Sequence, residues 1–223
     1  MTKREIIYQI FEKVTVHTGD SKISEEFVSS LIDAKRAFLI KQQYSTKHWH
    51  MPREIKQELN MQVALVDKVA GYSSAGKILT TIAPVPKSIK IKGKEGPLLL
   101  RKLDQSEIPV NIVAIERVPY LFQNKFTQHL TYCAIGLDGR ILILSNDKKI
   151  NFLKNVMITD VFESPEDART FVTGSDNSLD SWDAEYPVEV AMIDMIVQMV
   201  LKDLAVTLSI PEDKRNDSDD ARQ

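Results

Sequence analysis

From Tyr186 to Leu208 the chain reads YPVEVAMIDMIVQMVLKDLAVTL, an apolar run broken only by Glu189, Asp194, Gln198, Lys202, Asp203 and Thr207. Pro187 stands where a first helical residue belongs, since its missing N–H would have no partner there. Pro211 closes the run. Asp194, Gln198 and Lys202 step by four and make one narrow polar stripe on a helix. A helix on the surface of a monomer is apolar over about a third of its circumference. This one is apolar over most of it, so either it threads the centre of the fold or a neighbouring subunit covers what its own domain leaves bare. A membrane span is the competing reading, but ionisable side chains near the centre of a span are costly. The longest uninterrupted apolar piece here, VAMI, has four residues.

Residues 3–14 carry Ile6, Ile7, Ile10 and Phe11 at helical spacing and predict a short amphipathic helix. His17 to Lys22 reads as a turn. Ser24 then predicts an N-cap, with Glu25 and Glu26 placed at the positive end of a second helix that runs to about Tyr44. The predicted core stripe of that helix is Phe27, Leu31, Ala34 and Phe38, widened by Val28, Ile32 and Leu39. Lys35, Arg36 and Lys41 fall in its later half, where cations suit the dipole. Arg53 to Leu59 reads as a polar turn that passes from helix into strand near Met61.

Between about Gly76 and Val161 the pattern changes, as β-branched residues, prolines and turn dipeptides accumulate. Lys77–Ala83, Val110–Ile115 and Val156–Phe162 are predicted strands, and Ile89 and Ile91 alternate with lysines. Leu130–Leu137 and Arg140–Leu144 flank Asp138-Gly139, the signal of a tight type I′ hairpin turn. Both arms are apolar on both faces, which predicts that the hairpin is covered on both sides. Ser164 opens a helical turn through Phe171, and Trp182 in the polar connection after it is an expected anchor for the final helix.

This predicts an α+β fold: a helical base formed by N- and C-terminal helices, with an inserted β-rich, barrel- or sandwich-like domain. The expected division is an N-terminal helical part over 1–60, the β-rich domain over 61–163, a C-terminal helical part over 164–210 that packs on the N-terminal helices, and a flexible acidic tail over 211–223.

Composition adds mainly exclusions. Net charge is −2 in 223 residues, which argues against a dedicated nucleic-acid binder but not against passive contact with DNA. Cys133 is the only cysteine, so a disulfide within the chain and a Cys-based zinc site are both ruled out. Its expected role is that of a small buried hydrophobe. No signal-peptide pattern opens the chain, which points to a reducing, cytoplasm-like compartment. His48 and His50 could share a strand face, but no third ligand stands at zincin-like spacing, and a solvated or subunit-contacting loop is the preferred reading. No phosphate loop, HExxH, GxSxG or CxxC motif occurs. No catalytic residue, cofactor or metal is predicted, and the protein is not expected to be an enzyme. Only a site assembled by the fold, with His48, His50 and His129 as candidates, would make it a hydrolase or nuclease.

Three stretches share a further likeness: ISEEFVSSLIDAKRAFLIKQQYS, VMITDVFESP, and DAEYPVEVAMIDMIVQMVLKDL followed by PEDKRNDSDD. In this order and spacing the chain resembles virion structural proteins of the crAss-like podoviruses that infect Bacteroidetes, above all their ring or head–tail adaptor proteins. The resemblance implies a virion ring in the connector below the portal, assembled in the host cytoplasm. It implies twelve copies, a channel for double-stranded DNA bound without sequence preference, the portal and neighbouring tail or ring proteins as partners, and no membrane. The apolar final helix makes Met192, Met195, Met199, Tyr186 and Trp182 candidate subunit-interface residues. Lys35, Arg36 and Lys41 become candidate contacts to DNA or a partner. The same apolar surfaces, taken without the resemblance, fit a cytoplasmic homo-oligomeric interaction module with no virion role.

Overall fold

The computed structural model describes residues 1–15, 23–46, 51–66, 77–91, 99–102, 106–123, 125–147, 150–173 and 181–209. The stretches 16–22, 47–50 and 210–223, and with them His17, His48, His50 and the acidic tail, lie outside the described residues.

Helices α1 (Lys3–Thr15) and α2 (Glu25–Thr46) open the chain. Thr2 Oγ1 accepts the Glu5 N–H at 3.2 Å while the Glu5 carboxylate accepts the Thr2 N–H at 2.8 Å, a reciprocal capping box. Ser24 caps α2 through the Phe27 N–H at 3.2 Å, as its position in the sequence predicts. The inward side of α2 differs from the predicted one. Val28, Ile32, Arg36 and Ile40, four apart, face the core with Leu39 and Tyr44. Phe27, Ala34 and Phe38 are exposed and Leu31 is half-buried. By charge alone Arg36 belongs in solvent, which hides the track that runs through it.

The middle of the chain forms eight strands: β1 (Gln57–Val66), β2 (Lys77–Thr81), β3 (Leu99–Arg101), β4 (Glu107–Ile108), β5 (Val110–Ile112), β6 (Thr131–Ile135), β7 (Ile141–Ser145) and β8 (Asn155–Asp160). Their order is β4-β3-β8-β1-β2-β7-β6-β5. A single 3₁₀ turn, Arg53–Ile55, leads into β1 where the sequence predicts a passage from helix into strand, and β1 runs across residue 60. Residues 57–62 of β1 pair with β8 and residues 63–66 with β2, so one long strand serves both halves of the sheet. The two ends of the order, β4 and β5, are one stretch of chain interrupted by Pro109. Before the proline it pairs with β3 (Leu100↔Ile108), and after it in parallel with β6 (Ile112↔Cys133). Proline has no N–H for a ladder, so it suits the point where the strand changes partner. The result is a nearly closed barrel between helices from both ends of the chain, the predicted α+β arrangement.

Leu59, Met61 and Val63 alternate with exposed Glu58, Asn60 and Gln62 along β1 and join Leu79, Leu100, Cys133, Ile143, Val156 and Ile158 in the barrel core. The β6–β7 hairpin is covered on both faces, as its composition predicts. Cys133, Ile141 and Ile143 belong to the barrel core, while Tyr132, Ala134, Leu142 and Leu144 pack under Ile115, Val118 and Phe122. These last three come from a 3₁₀ segment, Ile115–Tyr120, and the turn after it, where the sequence predicts the end of a strand. The hairpin turn is also different. Gly139 alone has positive φ (76°), its N–H bonds the Gly136 carbonyl at 3.0 Å, and the Gly136 N–H bonds the Arg140 carbonyl at 2.8 Å. The loop thus has three residues, Leu137 to Gly139, with glycine at the left-handed position, not two in a type I′ turn.

After β8, Ser164 caps α3 (Pro165–Thr173) through the Asp167 N–H at 3.3 Å. The last helix, α4, is Val190–Ser209, three residues shorter at its start than predicted. Pro187 lies before it, because its carbonyl is held by Arg36. α4 lies against α2 and α1, and Ile6, Ile10, Val28, Ile32, Ile40, Met192, Ile196, Val200 and Leu204 form the core of the base.

Candidate assembly surfaces

The residues singled out in the sequence divide into a buried clamp and an outer face. Arg36 is 0% exposed, so it contacts neither DNA nor a partner in this fold. Its Nε donates to the Pro187 carbonyl at 2.7 Å, one terminal nitrogen to Phe162 at 2.8 Å and the other to Ile55 at 3.5 Å. Its guanidinium lies 5.7 Å from the centre of the Tyr186 ring. Burial lowers its pKa from the usual arginine value, while the nearby Tyr186 and Asp33 oppose that shift. Tyr186 is buried too and donates its hydroxyl to Asp33 at 2.7 Å; burial and the Asp33 charge push its pKa well up. Lys3, also buried, bridges Asp33 and Glu166. α1, α2, α3 and the entry to α4 therefore meet at one polar hub. Charge-assisted bonds of this kind are stronger than neutral ones and fix geometry.

Of the methionines, Met192 is buried in the base, Met199 is partly buried and Met195 is 43% exposed. Trp182 packs partly buried against the base core, in a 3₁₀ turn that lies against α1 and α3. Met192 and Tyr186 thus spend their side chains inside the subunit, and Met195 and Met199 remain for an outer face. Lys35 pairs with Asp203 at 2.5 Å across the α2–α4 seam, and Lys41 is exposed.

That ion pair marks the solvent side of the seam. Helical phase sets Leu31, Phe38 and Phe27 beyond Lys35 on α2, and Met199 and Met195 beyond Asp203 on α4. Phe27 is 44% and Phe38 53% exposed. The residues predicted as the core stripe of α2 are thus the apolar part of an outer face, with exposed Lys41 one turn beyond Phe38.

A second exposed group stands on the barrel. Tyr120 and Phe126 are 71% and 72% exposed, in the segment that covers the β6–β7 hairpin. Residues 117–130, RVPYLFQNKFTQHL, contain no Asp or Glu. Arg117, Lys125 and His129 in it are exposed.

Among the described residues no group of His, Cys, Asp and Glu could hold a metal ion. The Cys133 thiol is buried and pushed up to about 12, by burial first and then by the Asp160 charge, so it is inert as a nucleophile. A cleft of about 440 Å³ between Arg53, Glu54, Lys56, Arg169 and Glu185 is lined by mixed charge without a nucleophile beside a base. Among the described residues no helix is long and apolar enough to cross a membrane.

Comparison with known proteins gives the arrangement its context. Residues 5–221 match the family described as phage tail ring protein 2. Ring protein 2 of Bacteroides phage crAss001 is 25% identical over 223 residues, covering 99% of this chain and 97% of that protein. This is a family of structural phage ring proteins, not known as enzymes. With the match running over nearly its whole length, the chain belongs to the phage tail ring protein 2 family of crAss-like phages, and its role is that of a virion structural ring protein.

Proposed function

We propose that the protein forms a ring in the head–tail connector below the portal, in twelve copies, and encloses the channel through which DNA passes. The observation that carries this reading is the family match over residues 5–221. The exposed apolar face of the base agrees with it, since a monomer would leave Phe27, Phe38 and Met195 half in water for no gain. The net charge of −2 suits a channel in which DNA slides instead of being held. The portal and neighbouring tail or ring proteins are its expected partners, DNA contact is non-specific, and assembly takes place in the host cytoplasm.

Electron microscopy of the neck of the intact virion tests each part. A ring of this chain between portal and tail, twelvefold and open at its centre, is the expected result. Purified virions without the chain, or with it outside the connector, would end the reading.

A further inference from the structure

We propose that a proton-dependent latch pins the barrel to the base. The strap formed by residues 83–91 stays on residues 160–163 while the buried Asp160 carboxyl keeps its proton, and lifts locally once the proton is lost.

The strap leaves β2 on the barrel and dips into the base before the chain returns to β3. Ala83 and Val85 pack on the barrel core, whereas Ile89 and Ile91 pack in the core of the base. It lies along the exit from β8, where the chain makes the same crossing: Phe162 belongs to the barrel core and Val161 to that of the base. Two backbone bonds tie the crossings together. The Ile89 N–H donates to the Val161 carbonyl and the Glu163 N–H to the Lys87 carbonyl, both at 2.8 Å. A third tie joins side chains, Ser88 Oγ to Asp160 Oδ2 at 2.5 Å, and both residues are buried.

This third tie has no countercharge. On β1, Gln57 stands opposite Asp160, and Glu58 next to it is paired with Arg101. On the strap, Lys87 pairs with Glu163 at 2.8 Å and Lys90 is exposed. From α2, Arg36 reaches Phe162 but donates only to carbonyls. On α3, Glu166 is bridged to Lys3 and Arg169 donates to the Glu185 carbonyl. In the barrel core the Cys133 thiol stays neutral. Among the described residues no cation pairs with Asp160. A carboxylate buried with two neutral donors and no cation is costly, so the acid form is favoured and the pKa is raised to about 7. The acid form keeps the tie by donating its O–H to Ser88 Oγ. Lifting the strap takes Ser88 away and admits water, which returns the carboxyl to its ordinary range. The closed strap therefore binds the proton more tightly than the open one. Closure is strongest below about pH 4 and weakens until the pH passes about 7.

Hydrogen exchange of the full-length protein across this range tests the latch. Asp160→Asn, whose amide stands in for the acid form, is measured beside wild type at each pH so that the intrinsic rate of exchange cancels. The amides of Ile89 and Glu163 report on the strap, and those of β6 and β7 report on opening of the whole fold. The ratio of wild-type to variant exchange at the strap should rise about tenfold or more between about pH 5 and 7.5 and level off above about 8. Above pH 7 the wild-type strap should also exchange about tenfold or more faster than β6 and β7. A ratio that stays flat overturns the role of the proton. A strap that exchanges only at the rate of β6 and β7 overturns the local lifting. If Asp160→Asn does not fold, wild type alone decides: strap protection, taken against the intrinsic rate at each pH, should fall over the same range, and constant protection overturns the latch.

Discussion

Arg36 donates to carbonyls of residues 187, 162 and 55, which lie far apart in the sequence. Nothing in the local pattern around it foretells this, because its acceptors come from three other parts of the chain. Arg36→Lys should not rescue the loss, since one ammonium cannot reach three carbonyls in the plane of a guanidinium. Both Arg36→Lys and Arg36→Met should lower stability by about 3 kcal/mol, in the range for leaving buried polar groups unpaired. Urea unfolding measures it, and a wild-type midpoint for Arg36→Lys would refute the clamp. Asp160 is the second residue that burial transforms. Its carboxylate accepts the Ser88 hydroxyl at 2.5 Å and the Val161 N–H at 2.8 Å, and burial still raises its pKa from 3.8 to about 7. The folded state holds this proton more tightly than the unfolded chain. The contribution is therefore fully favourable below about pH 4 and is lost as pH rises through about 7. Asp160→Asn keeps an acceptor for the Val161 N–H, turns its amide toward the Ser88 hydroxyl oxygen as a donor, and removes the titration. Relative to wild type it should gain a few kcal/mol, on the order of the shift, between pH 4 and 8. A stability difference that stays flat over that range would show that Asp160 does not carry the effect.

At the scale of elements, α2 shows both how far the pattern reaches and where it stops. Its limits, its Ser24 cap and its amphipathic nature are all legible. Its phase is not, because a buried arginine turns the inward track Val28–Ile32–Arg36–Ile40 into an apparently broken one. The stripe Phe27–Leu31–Ala34–Phe38 then looks like the core, although it is the outer face. α4 carries the same lesson in milder form. Half of its described apolar residues are buried, yet the exposed Met195 lies on the outer face and the buried Val197 does not. Met195→Asp should leave the melting curve nearly unchanged and reduce assembly, whereas Val197→Asp should unfold the subunit, since an unpaired carboxylate there costs several kcal/mol. Thermal melts beside mass photometry separate the two; equal loss of folding would put Met195 in the core. In the hairpin, Gly139 sits at φ 76° and its carbonyl accepts the Val85 N–H at 2.9 Å. Gly139→Ala should cost about 1 to 2 kcal/mol for the left-handed backbone. A smaller loss at Gly139 would mean that the loop rearranges. The Asp-Gly pair announces such a turn well, but one residue more or less in the loop decides its type, and Leu137 supplies the extra one.

For the whole molecule, the two-layer plan of base and barrel comes from runs long enough to show a period, while the closing strands do not. β3, β4 and β5 have three, two and three residues, too few for any alternation to register. Their pairing depends on β8 and β6, which is information the local sequence lacks. The outer face of the base is likewise invisible until the inner one is known. The placement of α2 and α4 has a further consequence for synthesis. The ribosome delivers α2 within the first fifty residues, but α4, the helix that packs on it most, comes only with residues 190–209. Until then Val28, Ile32 and Ile40 share a core with α1 but lack Met192, Ile196 and Val200. Contacts between residues so far apart in sequence form late. A subunit therefore completes its helical base only when nearly all of it has been made.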